Sequence, residues 1–291
     1  MHKAGFVNII GNPNVGKSTL MNALLGEKLS IITPKAQTTR HRILGIANEE
    51  NYQVVFSDTP GVLTPNYKLQ EQMMHFVKSA LEDADLFIIL TEINEPFAHE
   101  EILRRVEKSN VPVMLLVNKI DLAKQAEVVL ACEKWKATYP HWYVLAISAL
   151  EQFNIQAVFD KIIELLPESP PFYPKDELTD KPVRFFIAEM VRERILMNYR
   201  KEIPYSVEVV VDSFKEEENL TNIRCVIHVA RETQKGIIIG HQGKALKKVG
   251  TEARQSIEAF LGKKVFLELH VKVSKNWREN DIQLRRFGYT Q

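Results

Sequence analysis

Short, continuously apolar runs recur along the first half of the chain, at residues 6–10, 54–56, 86–90, 113–117 and 143–147. Runs apolar at consecutive rather than alternate positions are expected of strands buried on both faces. Helical spacing fills the gaps, as with Leu20, Ala23, Leu24 and Leu25 after the first run. Strands alternating with helices predict a mainly parallel sheet in an α/β sandwich. Residues 41–47 and 52–56 flank Asn48-Glu49-Glu50-Asn51, which predicts a hairpin and one antiparallel edge strand.

The pattern changes at residues 167–174, where four prolines in eight residues end a helical stretch and predict an extended, stiff connector. Beyond it, residues 183–199 have helical spacing, with Phe186, Met190, Ile195 and Met197 as the apolar positions. Strands are expected at 207–211 and 223–231, then a helical turn, a helix stopping at Gly262, and a last strand at 265–273. The expected division is an α/β domain at residues 1–167, a proline-rich linker at 168–181 and an α+β domain at 182–291.

Charge separates the same two halves. Residues 1–180 hold 17 Lys+Arg against 23 Asp+Glu, whereas residues 181–291 hold 21 against 14. The balances of −6 and +7 point to the second half as the part that meets a polyanion. No apolar run approaches the roughly 20 residues of a membrane span. The first five residues lead straight into the first apolar run, so no signal peptide is expected. Cys132 and Cys225 are far apart and lack metal spacing, as expected of reduced residues in a cytosolic chain. Glu100-Glu101 and Arg104-Arg105 read as the solvated face of a helix with i,i+4 pairs.

Chemistry gathers where the apolar runs end. After the first comes Gly11-Asn12-Pro13-Asn14-Val15-Gly16-Lys17-Ser18, a phosphate-binding loop between a strand and a helix. Glycines let successive N–H groups face a phosphate, and the helix start adds its partial positive end. Lys17 is expected on the β- and γ-phosphates, with the Ser18 hydroxyl on Mg²⁺. After 54–56 comes Asp58-Thr59-Pro60-Gly61, a carboxylate to hold Mg²⁺ through water and an N–H for a γ-phosphate. After 113–117 comes Asn118-Lys119-Ile120-Asp121. Guanine offers N1–H and a 2-amino group side by side, and the two Asp121 oxygens can accept both; adenine has no such pair. Asn118 can tie the base to the loop, the Lys119 stem can pack on the ring, and Ala149 N–H of Ser148-Ala149 can meet the guanine carbonyl. The polar segment 35–40 reads as a mobile loop, and Thr39, ahead of Thr38, is expected to complete the Mg²⁺ shell beside Ser18 and Asp58.

In the second half, Ile237-Ile238-Ile239 precedes Gly240-His241-Gln242-Gly243-Lys244. A G-x-x-G turn lets a single-stranded RNA backbone approach closely, and Lys244, Lys247 and Lys248 can contact its phosphates. Bases are expected in a groove beside this helix, on apolar residues such as Ile238 and Ile239. The tail interleaves Trp277 and Phe287 with arginines, which suits either stacking on bases or packing onto the domain.

The set GNPNVGKS, TTR, DTPG, NKID and SAL resembles the translation-factor class of small GTPases, and PKAQTTRHRILGI is most similar to the Era family. The turn IIIGHQGK within its helix and strand order resembles a bacterial, type II KH domain, so the likeness spans nearly the whole chain. It implies a P-loop GTPase domain followed by a KH domain, GTP/GDP and Mg²⁺ as ligands, and slow hydrolysis coupled to assembly of the small ribosomal subunit. It further implies a monomer that binds the 3′ end of 16S rRNA on the 30S subunit and not DNA, cytoplasmic, with at most peripheral contact at the inner membrane. Val62 follows DTPG where Ras-like enzymes carry glutamine, and valine cannot orient water by hydrogen bonding. In relatives with an apolar residue there, an asparagine at the position of Asn14 helps bind an activating K⁺. Catalysis is thus expected of Lys17, Thr39 and Asn14. A GTPase for another RNA, or an RNA-binding scaffold that holds nucleotide without turnover, are the rival readings.

Overall fold

Consecutive valines and isoleucines do build the buried strands of a central sheet. The first half of the chain runs β1 (Lys3–Gly11), α1 (Lys17–Leu25), β2 (Ile43–Glu49), β3 (Tyr52–Asp58), α2 (Lys68–Ala80) and β4 (Leu86–Glu92). It continues through α3 (Glu100–Glu107), β5 (Val113–Asn118), α4 (Gln125–Thr138), β6 (Tyr143–Ala146) and α5 (Ile155–Leu165). The structure is a computed structural model and describes residues 1–93, 95 and 97–290. Among these, the sheet order is β2-β3-β1-β4-β5-β6, parallel throughout except for β2 against β3. β1 pairs with β3 on one side and β4 on the other, so the order reverses there and a crevice opens at its carboxyl end. On α3, Arg104 and Glu100 form the expected i,i+4 pair at 2.9 Å.

The first compact unit comprises Met1–Ile32, Thr39–Pro65 and Met73–Asp180. The proline-rich stretch is extended and docked along the sheet. Gln53 Oε1 accepts from the N–H groups of Phe172 (2.6 Å) and Tyr173 (2.9 Å), and Gln53 Nε2 donates to the Tyr173 carbonyl. Ile46 N–H donates to the Leu178 carbonyl, and Thr179 Oγ1 donates to the Leu44 carbonyl. These bonds cover the outer edge of β2, which would otherwise present unpaired backbone groups.

The second unit takes Thr33–Thr38, Asn66–Gln72 and the chain from Lys181 onward. Its order is α6 (Val183–Asn198), α7 (Ile203–Ser206), β7 (Glu208–Glu216), β8 (Leu220–Val229), α8 (Glu232–Ile239), α9 (Lys244–Leu261), β9 (Lys264–Val273) and α10 (Asp281–Arg286). β8 is antiparallel to β7 and parallel to β9. The core joins Ile187, Val191 and Ile195 of α6 to Ile223, Cys225 and Ile227 of β8 and Val249, Ala253 and Ile257 of α9. Met197, one of the apolar positions of the helical pattern, is exposed, because the helical period turns Leu196 inward instead.

The tail packs onto this unit. Trp277 is fully buried, its indole Nε1 donating to the Ser206 carbonyl at 3.0 Å, and Phe287 packs edge-on against it. His228 is buried against Phe287 and bonded to Ser274 Oγ at 2.8 Å. Burial, with the charges of Lys272 and Arg286 adding, pushes its pKa down to about 4. Between its ordinary value and 4, the unfolded chain takes a proton that the folded chain refuses, so stability falls as pH falls. On this account thermal unfolding of the parent loses about 2 kcal/mol between pH 7 and pH 5, and His228→Gln flattens that slope. Identical slopes in the two proteins would count against it.

Candidate functional site

The loop between β1 and α1 has the backbone that its glycines predict. Gly16 sits at φ 99°, and a Cβ there would lie 2.4 Å from Asn118 Nδ2. Gly61 approaches the loop so closely that a Cβ would lie 2.6 Å from Pro13 Cα. Asn14 is left-handed at φ 65°, Val15 is buried, and Val62 N–H donates to the Gly11 carbonyl at 3.1 Å. No side chain among the described residues caps α1 and no acidic residue sits in its first turn. Its first amides thus carry no side-chain cap, as an anion site at a helix start requires.

Lys17 lies inside this loop, donating to the carbonyls of Gly11 (3.1 Å) and Asn12 (2.8 Å). Burial lowers its pKa to about 8, against the charges of Asp58 and Glu95. Asn12 Nδ2 donates to Glu95 Oε1 at 3.4 Å.

Three oxygens expected to hold Mg²⁺ converge. Ser18 Oγ is 2.7 Å from Asp58 Oδ2 and 2.8 Å from Thr39 Oγ1, and Thr39 Oγ1 donates to the same carboxylate oxygen at 3.3 Å. Asp58 is wholly buried, and its Oδ1 takes no hydrogen bond among the described residues. Burial raises its pKa against the hydrogen bond of Ser18 and the charge of Lys17. A buried carboxylate left short of compensation, with two hydroxyls beside it, fits a hard dication with oxygen ligands. Thr38 faces elsewhere, its Oγ1 donating to the Lys35 carbonyl at 2.6 Å and pairing with Thr33 Oγ1. Thr59 Oγ1 donates to the Ile9 carbonyl at 2.7 Å, which leaves its backbone and that of Pro60 to form the loop ahead of Gly61.

The base-binding segments meet at the ends of β5 and β6. Asn118 Nδ2 donates to the Val15 carbonyl at 2.8 Å and so ties this segment to the phosphate loop. Ala149 N–H, expected to face a guanine carbonyl, donates to Asn118 Oδ1 at 2.9 Å; a buried amide takes the acceptor presented to it. Ser148 Oγ donates to Asp121 Oδ1 at 2.6 Å and orients the carboxylate. Lys119 is left-handed at φ 61°, just before Ile120 opens a short 3-10 turn, and its Nζ meets Glu92 Oε1 at 2.9 Å. Glu92 escaped the sequence reading because nothing local links residues 92 and 119.

In the second unit the G-x-x-G turn carries three residues at positive φ, Gly240, Gln242 and Gly243 at 70°, 53° and 74°. His241, Gln242, Lys244, Lys247 and Lys248 are exposed around it. A groove of about 380 Å³ runs between α9 and β9, lined by Leu246, Lys247, Gly250, Arg254, Leu267 and Leu269. Its apolar wall is not the expected Ile238 and Ile239. α8 buries Ile238 completely in the core, and the leucines of α9 and β9 line the groove instead. Gly250 in mid-helix was the available signal, since glycine there leaves room for a close approach.

A family model described as "50S ribosome-binding GTPase" matches residues 6–119, and one described as "KH domain" matches residues 202–278. The chain is 44% identical over 290 residues to GTPase Era of Geotalea uraniireducens, covering 99% of this chain and 98% of the relative. It is 42% identical to GTPase Era of Carboxydothermus hydrogenoformans, covering 100% of this chain and 99% of that one. A crystal structure of Era with MgGDPNP and nucleotides 1506–1542 of 16S ribosomal RNA aligns over 100% of both chains, with a TM-score of 0.95 at 39% identity. An Aquifex aeolicus Era variant bound to GDP·AlF4⁻ aligns at a TM-score of 0.94 and 39% identity, over 99% of this chain and all of that one. With that identity sustained from end to end, the chain belongs to the Era family of GTPases.

Proposed function

We propose that this chain hydrolyses GTP slowly with Mg²⁺, binds the 3′ end of 16S rRNA through its KH unit, and serves maturation of the 30S subunit in the cytoplasm. The observation that carries the enzymatic half is the meeting of Ser18, Thr39 and Asp58 beside Lys17, with Asp121 aimed from the base-binding loop. Ser18, Thr39 and Asp58 would hold Mg²⁺, which would supply positive charge to offset that of the β- and γ-phosphates. Lys17 holds the same phosphates, and backbone N–H groups of the loop between Asn14 and Ser18 cradle them. Asp121 reads guanine and Asn118 holds the base-binding loop to the phosphate loop. No helix among the described residues is long and apolar enough to cross a membrane.

The RNA half is supported by the groove beside the G-x-x-G turn, and Gly250 tests it. A Cβ there would sit 3.4 Å from Leu269 Cδ1, so alanine is tolerated while leucine fills the groove. Anisotropy with a labelled single strand of the 16S 3′ end is expected to show at least tenfold weaker binding for Gly250→Leu, with GTP hydrolysis unchanged. Unchanged RNA affinity would move the RNA elsewhere on the surface.

The buried Val62 bears on how water is activated. With no polar side chain at that position, we assign activation to K⁺ held by Asn14. Hydrolysis is then faster in KCl than in NaCl, and Asn14→Ala abolishes the difference. Equal rates in the two salts for the parent protein would remove potassium from the reading.

A further inference from the structure

Asn8 and Ser57 are polar positions in otherwise apolar strands, both wholly buried and side by side in the register of β1 and β3. Their common partner is Arg42, just ahead of β2. Its Nε donates to Ser57 Oγ at 2.7 Å and its Nη2 to Asn8 Oδ1 at 3.2 Å. The guanidinium also grips Asp83, with Nη1 on Oδ2 at 2.6 Å and Nη2 on Oδ1 at 2.9 Å. Asn8 Nδ2 closes the cluster by donating to the Ala80 carbonyl at 2.5 Å and to Asp83 Oδ1 at 2.8 Å. All five residues belong to the first unit. The Arg42 side chain is 14% exposed, so little water competes for these bonds, and a bidentate, charge-assisted grip makes a fixed point in the fold. The chemistry described above makes no use of it.

The ladder between β2 and β3 ends on the pair Ile43 and Asp58, and Arg42 is the next residue out. Three residues ahead of Arg42 is Thr39, whose Oγ1 meets Ser18 and that same Asp58. We propose that Arg42 is a positioning residue: by gripping Asp83, Ser57 and Asn8 it anchors the chain just beyond the ladder and so sets Thr39 at the metal. Three residues reach at most about 11 Å, so an anchored Arg42 leaves Thr39 little space to search. The chain between them is seated in the first unit as well. Arg40 and His41 are buried, and the His41 ring centre lies 5.8 Å from that of Phe76. Without the grip the end of the ladder frays, and each residue released must be ordered again before Thr39 can meet the metal. That cost falls on the triphosphate complex, where Thr39 is needed. A cluster that served only the sheet would weaken both nucleotides alike.

This role rests on the reading of Thr39 as a metal ligand needed when a γ-phosphate is present. The test is therefore the ratio of affinities for GDPNP and GDP, measured in magnesium buffer on the full chain with fluorescent analogues, beside a thermal melt. Arg42→Met keeps most of the stem and removes the grip; the Asp83 side chain, 43% exposed, is then left to water rather than buried unpaired. Expected is about tenfold weaker GDPNP binding with GDP binding unchanged, the cost of ordering roughly one more residue. Ser57→Ala removes a single bond of the cluster with little change in packing, and shifts the ratio about threefold in the same direction. An unchanged ratio in either folded variant, or equal weakening of both nucleotides, overturns the proposal; if Arg42→Met does not fold, the ratio in Ser57→Ala decides. Thr39→Ala separates the premise from the inference: intact GDPNP affinity there fells the metal-ligand reading first, and the anchor with it.

Discussion

Asp121→Asn is expected to lower GTP affinity by about 10³-fold and to create affinity for xanthosine triphosphate. A site built to accept from two neighbouring donors rejects an analogue lacking one, because an acceptor covered by the bound base is left unpaired. Asparagine puts an amide N–H₂ where one carboxylate oxygen accepted from the 2-amino group. Xanthine carries a carbonyl at that position and takes the new donor. Ser148 Oγ holds Asp121 Oδ1 at 2.6 Å, so the side chain is oriented before the base arrives, and asparagine can keep that bond through its own Oδ1. Displacement of a fluorescent GDP by GTP and XTP measures both effects. Tight GTP binding by the variant would mean that the base lies elsewhere.

The legible parts of this molecule are those whose causes are local in sequence. Gly16 and Gly61 had to be glycine for backbone reasons visible in motif spacing, and the structure meets each with an atom that a Cβ would strike. The alternation of apolar runs with helices was enough for a mainly parallel sheet, because strands buried on both faces leave no polar register. What escaped depends on distant residues. Nothing near Gln53 announces that its side chain will hold the backbone of Phe172 and Tyr173. Ile238 and Ile239 looked alike in an apolar run, and only the phase of α8 sends the first into the core.

Lys17→Met is expected to lower single-turnover GTP hydrolysis by about 10²–10³-fold, the usual loss when one group aimed at developing charge is removed. Methionine matches the length of the lysine stem, so the loop keeps its filling while losing its ammonium. The nucleotide-free fold should not suffer. With its pKa lowered to about 8, the buried ammonium is held at a cost to the folded state at neutral pH. From pH 8 up to the ordinary lysine value, the unfolded chain binds the proton that the folded chain has released, so parent stability gains with pH there; the variant has no such gain. At pH 7, therefore, the variant should melt no lower than the parent, while losing turnover and triphosphate affinity. A residue kept where it destabilises the empty fold is held for the anion it meets, a trade common at functional sites. If Lys17→Met unfolded at markedly lower temperature with hydrolysis intact, Lys17 would be a structural pin on the Gly11 and Asn12 carbonyls, and the phosphates would need another cation.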